Sequence, residues 1–445
     1  MSGKTFPLDR GRLEKLTEQY PTPFYLYDEK AIRENSRRLL ASFSTFPSYK
    51  EHFAVKALPN PYILKILADE GLGADCSSMT ELLLADMAGM KGEDLMFSSN
   101  ETPAIEYLKA RKLEAVINLD DFTHIEFLEK SLIKSGGLPE LISCRYNPGF
   151  LKEGNAIIGK PEEAKYGFTR EQLFEGYNLL KEKGVKRFGL HTMVASNELS
   201  LDYHLETGRL LFELAVEIKA KCSVNLEFVN LGGGLGIPYK PEQEAVSWEA
   251  LAAGLRKLYD EIVIKNGLNG MAIHTEYGRP ITGPYGWLVA RAIHKKEIYR
   301  NYIGLDASMA DLMRPGYYGT YHHITIPGKE NSPCDHIYDI VGSLCENNDK
   351  FAIQRKMPKI EVASDCMEPG NAFPVDGRPL DSRGDLVVIH DAGAHGRSMG
   401  FNYNGKLRSR ELLLRPDGSI MQIRRAETAE DYFATLDLKT LKDFS

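Results

Sequence analysis

The sequence predicts an α/β protein in which a closed (β/α)8 barrel of the TIM type is followed by a mostly β C-terminal domain. Eight short apolar or β-branched runs, separated by stretches with helical periodicity, predict the barrel. After about residue 285 helical periodicity fades, and short apolar runs alternate with turn residues instead. We therefore expect the barrel at 35–284 and the β-rich domain at 285–445.

The predicted barrel strands lie near 52–56, 73–76, 95–98, 115–119, 141–147, 187–193, 225–231 and 272–276. A typical intervening helix carries its apolar residues at three- and four-residue spacing along one stripe, at Trp248, Leu251, Leu255, Leu258 and Ile262. Strand order is not visible in a sequence, so an open doubly wound sheet remains an alternative.

In the C-terminal domain, strands are predicted at 337–341 and 385–389. Turns are predicted at Pro369-Gly370-Asn371 and Asp376-Gly377, because these residue types favour turn conformations.

Composition excludes several classes of function. The chain has 445 residues, 43% of them hydrophobic and 26% charged, which is enough to bury a large core in two domains. The formal charge of −7 leaves no basic surface for nucleic acid or membrane lipid. The N-terminus lacks the apolar core of a signal peptide, and the six cysteines are scattered without a CxxC pair. We expect a reduced, cytoplasmic protein with neither a metal site nor disulfides.

Four chemically useful groups occur at or after predicted strand ends. Lys56 closes an apolar run, so its amine is expected to be buried. The glycine-rich segment 230–236 follows the seventh strand, where barrels commonly bind phosphate through backbone N–H groups. Glu276 ends the eighth predicted strand, and Cys345 with Glu346 lies farther along. An amine, a phosphate cradle, a carboxylate and a cysteine–acid pair are the parts needed to hold and use pyridoxal phosphate.

In this order and spacing, the motifs resemble those of the fold-type III pyridoxal phosphate decarboxylases, the alanine racemase-like superfamily, and most closely those of diaminopimelate decarboxylases. The similarity runs from Thr22-Pro23-Phe24 to Asn402-Tyr403-Asn404. It implies that residues 1–34 contribute a strand to the β domain. It also implies a homodimer, because the family's active sites combine residues of both subunits.

The resemblance assigns a role to each matching residue. Lys56 would form the Schiff base with the cofactor, and Cys345 of one subunit would deliver a proton near the α-carbon in the other. Arg314 would grip the distal carboxylate of the amino-acid substrate with two hydrogen bonds. The cofactor-binding set is Lys56, Met193, Ser196, Gly232, Gly233, Gly234, Glu276, Gly278, Arg279 and His395. The substrate-binding set is Arg279, Arg314, Tyr318 and Glu346.

Glu276 separates decarboxylation from racemisation. In the family this glutamate contacts the pyridine nitrogen and keeps it protonated, so that the ring accepts electrons released at the substrate. Alanine racemases of the same fold place an arginine there, which weakens the electron sink. Glu276 therefore favours a decarboxylase.

Several positions depart from the family's motifs. Met193 replaces the histidine that stacks on the cofactor ring, Ala195 replaces a glycine beside the phosphate, and His395 replaces a tyrosine. Tyr277 and Asn347 replace a proline and a serine, respectively. Most of these changes cluster around the cofactor and indicate a divergent subfamily.

The function predicted from the sequence is pyridoxal phosphate-dependent decarboxylation of meso-2,6-diaminopimelate to L-lysine, in lysine biosynthesis. The alternatives are a decarboxylase of another basic or carboxylated polyamine-type amino acid and, less favoured, a non-catalytic regulatory homologue. A racemase is disfavoured by Glu276.

Overall fold

The computed structural model describes residues 4–149, 160–366 and 384–441. The chain divides into two compact units. One comprises residues 31–238 and 242–283, and the other comprises residues 1–30, 239–241 and 284–445.

The first unit is a closed barrel of eight parallel strands, as the sequence predicts. The pairing runs from β2 to β9 in chain order, and β2 closes the barrel against β9. The alternative of an open doubly wound sheet is therefore wrong. The barrel strands are β2 (Tyr49–Ala54), β3 (Gly73–Cys76), β4 (Leu95–Phe97), β5 (Val116–Leu119), β6 (Leu141–Tyr146), β7 (Arg187–Thr192), β8 (Leu226–Asn230) and β9 (Ala272–Thr275).

Helices follow the strands, and several begin at a side chain that accepts a hydrogen bond from the first turn. Asn60, Ser78, Ser200 and Ser247 cap their helices in this way, and Thr169 forms a full capping box with Gln172. No helix in the described part of the chain is long and apolar enough to cross a membrane. The helices of this unit are α2 (Glu29–Ser42), α3 (Pro61–Asp69), α4 (Met79–Met87), α5 (Ala104–Lys112), α6 (His124–Leu132), α7 (Arg170–Glu182), α8 (Leu201–Cys222), α9 (Trp248–Leu258) and α10 (Arg279–Thr282).

The apolar stripe predicted on α9 is present, but it ends early. Trp248, Leu251, Leu255 and Leu258 are buried. A π-helical turn (Tyr259–Ile264) follows directly, and it rotates the buried face from the predicted Ile262 to Tyr259 and Val263. A wider turn holds more residues per revolution, so a spacing based on 3.6 residues fails there.

The predicted strand 52–56 ends two residues early. Its pairing to β3 stops at Ala54, and the chain turns into one 3-10 turn (Val55–Ala57), closed by a hydrogen bond from Leu58 N to Val55 O. Lys56 therefore lies in a turn at the carboxyl end of the barrel rather than in the sheet.

The second unit is built on a nine-stranded mixed sheet, which agrees with the predicted mostly β domain. The N-terminal strand β1 (Phe24–Asp28) pairs antiparallel to β10 and parallel to β16, so residues from both ends of the chain share this sheet. The other strands are β10 (Gly286–Glu297), β11 (Asn301–Leu305), β12 (Ile324–Thr325), β13 (His336–Val341), β14 (Lys350–Met357), β15 (Leu386–Ile389), β16 (Arg410–Leu414) and β17 (Ile420–Arg424).

Three helices accompany this sheet: α1 (Arg10–Gln19), α11 (Arg314–Tyr318) and α12 (Ala429–Phe433). Leu13 and Leu16 of α1 pack in one core with strand residues such as Phe24, Val289 and Leu412. The structure divides the chain after residue 30, in the first turn of α2, and the boundary predicted at residue 34 lies four residues farther along the same helix. The turns predicted at 369–371 and 376–377 lie outside the described residues.

Candidate active site

Glu276 is the centre of a buried hydrogen-bonded network at the carboxyl end of the barrel. It is the first residue after β9 and is 6% exposed. Its Oε1 accepts a hydrogen bond from Asn230 Nδ2 at 2.7 Å, and its Oε2 lies 3.1 Å from His191 Nε2. Both partners end neighbouring strands, since His191 of β7 pairs with Asn230 of β8. Parallel strands ending at one rim thus place three polar side chains together.

This network keeps Glu276 ionised. Burial raises its pKa, but the charge and hydrogen bond of His191 lower it, with further lowering by Lys56 and His52, and the result is a pKa of about 2. Near neutral pH the carboxylate is fully charged, as a partner for a protonated ring nitrogen must be.

The glycine-rich loop packs directly against this carboxylate. A methyl group on Gly233 would lie 2.4 Å from Glu276 O, so no larger residue fits there. Gly234 has φ +90°, a conformation that glycine tolerates and other residues rarely adopt. Gly232 N donates to Asn230 Oδ1 at 2.9 Å, so one amide side chain connects the loop to Glu276. The N–H group of Gly234 has no acceptor within the described ranges and can serve a phosphate.

Met193 lies beside the glycine loop. Its Sδ accepts a hydrogen bond from Gly233 N at 3.3 Å, and the side chain is half-buried. Ala195 is buried, and its carbonyl oxygen would lie 2.6 Å from a methyl group on Gly234. Ser196 follows in the same bend and is half-buried. Met193 and Ala195, two of the residues that depart from the family's motifs, therefore lie against the glycine loop.

Lys56 is exposed, so the expectation of a buried amine is wrong. The turn after β2 lifts the side chain out of the sheet at the open end of the barrel. Its charge acts on two neighbouring carboxyl groups. Burial and the charge of Glu276 raise the pKa of Asp75, and burial raises that of Glu81, while Lys56 lowers both. The exposed amine therefore lies within electrostatic range of these two carboxyl groups.

Gly278 and Arg279 are buried where α10 begins. A methyl group on Gly278 would lie 2.7 Å from Ala57 Cβ, so this glycine allows the segment after Glu276 to pack against the Lys56 turn. Tyr277, which stands where the family has proline, donates its N–H to Glu51 Oε1 at 2.7 Å. A proline there has no N–H to donate, so this buried contact is specific to the chain's own sequence.

The remaining predicted site residues belong to the second unit. Arg314 begins α11 and is 2% exposed, with its guanidinium 5.4 Å from the ring centroid of Tyr239 and 5.8 Å from that of Tyr318. Two aromatic faces thus orient a buried cation. His395 is half-buried in the loop after β15 and has φ +53°.

Cys345 and Glu346 are exposed on a loop that one buried acid holds in place. Asp349 accepts hydrogen bonds from Met309 N at 2.6 Å and Leu344 N at 2.8 Å, so it joins this loop to the segment before α11. A methyl group on Gly316 of α11 would lie 2.4 Å from Asn348 O. The Arg314 helix and the Cys345 loop therefore pack together within one unit.

Comparisons with known proteins agree with this arrangement. Residues 30–283 match the model of the pyridoxal-dependent decarboxylases, pyridoxal binding domain. The chain belongs to the pyridoxal-dependent decarboxylase family. It is therefore a carboxy-lyase that uses pyridoxal phosphate, and the non-catalytic alternative is set aside.

Relatives of this decarboxylase align over nearly its whole length. Protein TabA of Pseudomonas amygdali pv. tabaci is 38% identical over 99% of this chain and 96% of its own length. The diaminopimelate decarboxylase of Methanothermobacter thermautotrophicus is 32% identical over 94% of this chain and 92% of its own. The crystal structure of diaminopimelate decarboxylase from Helicobacter pylori with L-lysine superimposes with a TM-score of 0.80 at 27% identity, covering 95% of this chain and 98% of that one.

Sequence reasoning missed several polar residues inside the barrel of this decarboxylase. His191 and Asn230 bind Glu276, and Asn118 Nδ2 lies 3.2 Å from His191 Nδ1. Below them, His52 is fully buried and its ring centroid lies 5.1 Å from that of His274. Burial lowers the pKa of His52 to about 4, so this ring is neutral near pH 7. Asp75 and Asn230 end predicted strands, so the reasoning that selected Glu276 could have selected them too.

Proposed function

We propose that the protein decarboxylates meso-2,6-diaminopimelate and releases L-lysine, as a step of lysine biosynthesis. Arg314 is the observation that supports this substrate. A buried guanidinium held between Tyr239 and Tyr318 suits a planar carboxylate that accepts two hydrogen bonds. Diaminopimelate has such a distal carboxylate, whereas ornithine and lysine do not. Relatives named diaminopimelate decarboxylase support the same choice.

The residues of the barrel fit pyridoxal phosphate. Lys56 would hold its aldehyde carbon, Glu276 its ring nitrogen, and Gly234 with Ser196 its phosphate. Gly232, Gly233, Gly278 and Arg279 would shape the walls, with Met193 along the ring. The sequence motif also assigns His395, a residue of the second unit, to the phosphate. When bound, the cofactor supplies an electrophilic carbon for an amine and a sink for the electron pair left by the departing carboxylate.

The chain's own groups would supply charge, orientation and protons. Glu276, with its lowered pKa, would hold negative charge opposite the ring nitrogen. Arg314 and Glu346 would bind the distal carboxylate and distal ammonium of the substrate, with Arg279 and Tyr318 beside them. Cys345 Sγ would donate the proton that replaces carbon dioxide at the α-carbon. These roles for Arg314, Tyr318, Cys345 and Glu346 follow from the sequence motifs.

We also infer a homodimer in which Cys345 and Glu346 of one subunit act in the site of the other. Both side chains are exposed on a loop held rigidly by Asp349, as expected of groups presented to a second chain. The Cys345 thiol is exposed, and Glu346 Oε1 accepts a hydrogen bond from Asn348 N at 3.0 Å, which orients this carboxylate within the loop.

A second candidate is a decarboxylase of another basic or carboxylated polyamine-type amino acid. Met193 favours this second candidate. Its thioether stands where the diaminopimelate enzymes have a histidine, and it accepts a hydrogen bond from Gly233 N.

Carbon dioxide release from a panel of acids tests the substrate. The panel contains meso-diaminopimelate, L-lysine, L-ornithine and a carboxylated polyamine. We expect turnover of diaminopimelate alone, and Arg314→Lys should raise its KM roughly 10- to 100-fold because a single ammonium cannot make both hydrogen bonds. Arg38→Lys is the matched control, since Arg38 makes two hydrogen bonds to the carboxylate of the exposed Glu249, at 2.8 and 3.0 Å. Consumption of another acid without diaminopimelate turnover would select the second candidate.

A further inference from the structure

A chain of buried polar side chains crosses the barrel interior and ends at Glu276. Asn118 of β5 is 2% exposed and His191 of β7 is 1% exposed. Asn118 Nδ2 lies 3.2 Å from His191 Nδ1, and His191 Nε2 lies 3.1 Å from Glu276 Oε2. Both imidazole nitrogens thus face a defined partner, so each partner restricts where the ring carries its proton.

The amide orientation selects one tautomer. An amide N–H group can only donate, so Nδ1 of His191 must accept and carries no proton. The single proton then resides on Nε2 and is donated to Glu276. Rotating the amide would turn Asn118 Oδ1 toward Nδ1 and require an imidazolium, because Nε2 must still donate to the carboxylate.

The other charged groups around this pair do not call for a second proton on His191. Asp120 is the other carboxylate that interacts electrostatically with His191, and it is paired with Arg145 at 3.1 Å. Lys56 and His52 act on Glu276, and Glu276 in turn acts on Asp75. Lys56 supplies positive charge beside Glu276, so charge balance at this carboxylate does not by itself require an imidazolium at His191.

We propose that Asn118 fixes His191 as a neutral imidazole protonated on Nε2, and that both are positioning residues which keep Glu276 an oriented, fully charged carboxylate for the cofactor's ring nitrogen. This role rests on the proposed contact between Glu276 and that nitrogen. An imidazolium at the same place would compete with the ring nitrogen for the carboxylate, because two cations would share one negative charge. A neutral donor orients the carboxylate without neutralising it.

The tautomer can be read directly from the holoenzyme. In protein labelled with 15N-histidine, long-range proton–nitrogen spectra distinguish a protonated nitrogen from an unprotonated one, and the His191→Gln variant identifies the signal. We expect one protonated and one unprotonated nitrogen for His191 near neutral pH, with the proton on Nε2. A doubly protonated ring, or a proton on Nδ1, would overturn the proposal.

The Asn118→Asp variant tests the consequence. An aspartate of nearly the same shape accepts from Nδ1–H and makes His191 an imidazolium. We expect two protonated nitrogens, a changed absorbance spectrum of the bound cofactor, and a cofactor Kd raised roughly tenfold, which corresponds to about 1.4 kcal/mol. Ser143→Ala is the control. Ser143 of β6 is paired with Asn118 of β5, and its buried Oγ makes no hydrogen bond within the described chain. An imidazolium in Asn118→Asp with unchanged Kd and spectrum would refute the positioning role.

The Glu276→Gln variant separates this inference from the proposed function. If Glu276→Gln leaves the cofactor spectrum and Kd unchanged, the contact between Glu276 and the ring nitrogen is wrong, whatever the tautomer of His191. The substrate does not enter any of these measurements. An error in the choice of diaminopimelate therefore leaves the result intact.

Discussion

The surroundings of Glu276 at the carboxyl end of the barrel, here called the barrel mouth, and the loop that carries Cys345 and Glu346 are stabilised in opposite ways. At the barrel mouth, Glu276 is buried and receives hydrogen bonds from side chains on two adjacent strands. On the loop, Cys345 and Glu346 are exposed. The loop is held by Asp349, by a hydrogen bond from Cys345 N to Asn404 Oδ1, and by one from Asn348 N to Glu346 Oε1. The partners of Glu276 are supplied by its own unit, whereas the side chains of Cys345 and Glu346 are accessible to a second molecule.

This difference separates two parts of the chemistry. A buried network fixes charge within a few tenths of an ångström and excludes water, as a cofactor partner requires. Exposed side chains on a rigid loop can be changed without disturbing a core, as a substrate-selecting surface requires. We therefore expect the barrel to hold the cofactor and the second unit to supply the groups that select and protonate the amino acid.

The largest expected effect comes from removing either Lys56 of the barrel or Cys345 of the loop. Lys56→Ala and Cys345→Ser should each reduce carbon dioxide release by about a thousandfold or more. A heterodimer of the two variants, purified through two different tags, should recover about half of the wild-type rate, because one of its two shared sites is intact. Lys65→Ala, which removes an exposed lysine paired with Asp69, is the control. A heterodimer as inactive as its parents would place both residues in the same subunit's site.

Asp349→Ala should loosen the Cys345 loop. It leaves Met309 N and Leu344 N without their acceptor, at a cost of about 2 kcal/mol in the free energy of unfolding. The KM for substrate should rise, while cofactor affinity at the barrel stays unchanged. Urea unfolding and cofactor titration measure the two effects. The matched variant Asp349→Asn keeps one acceptor oxygen and should lose less stability; equal losses would contradict this account.

Glu276 should make stability depend on pH. Its folded pKa of about 2 lies below the usual 4.5, so its contribution is fully present above about pH 4.5 and disappears as pH falls through about 2. The difference in unfolding free energy between the wild type and Glu276→Gln should shrink over this range. Urea unfolding at several pH values measures that difference. A constant difference would show that the Glu276 carboxyl group has the same pKa in the folded and unfolded states.

The smallest effect is expected for Met193→His. An imidazole nitrogen can accept the Gly233 N–H that the thioether accepts at 3.3 Å, so cofactor Kd should stay within about threefold of the wild type or improve. Fluorescence titration with the cofactor measures it. Met193→Leu has nearly the same volume without an acceptor and should bind more weakly. A sharp loss in Met193→His alone would show that the pocket is shaped around methionine.

Much of the architecture was predictable from local pattern. All eight barrel strands lie where the apolar runs are, because a parallel strand buried on both faces needs such a run. The π-helical turn after α9 and the early end of β2 were not predictable. They depend on where neighbouring segments stop pairing rather than on the local residues.

For the site, the amino-acid sequence by itself determined which reactive groups the chain carries and that Lys56, the glycine loop and Glu276 follow strands. Closure of the barrel decided the rest. It brought Asn118, His191 and Asn230 from three separate strands to one carboxylate, and it exposed the Lys56 amine that local hydrophobicity predicted to be buried. The physical reason is that hydrogen bonds and burial join residues far apart along the chain, and no spacing pattern records which side chains of different strands meet.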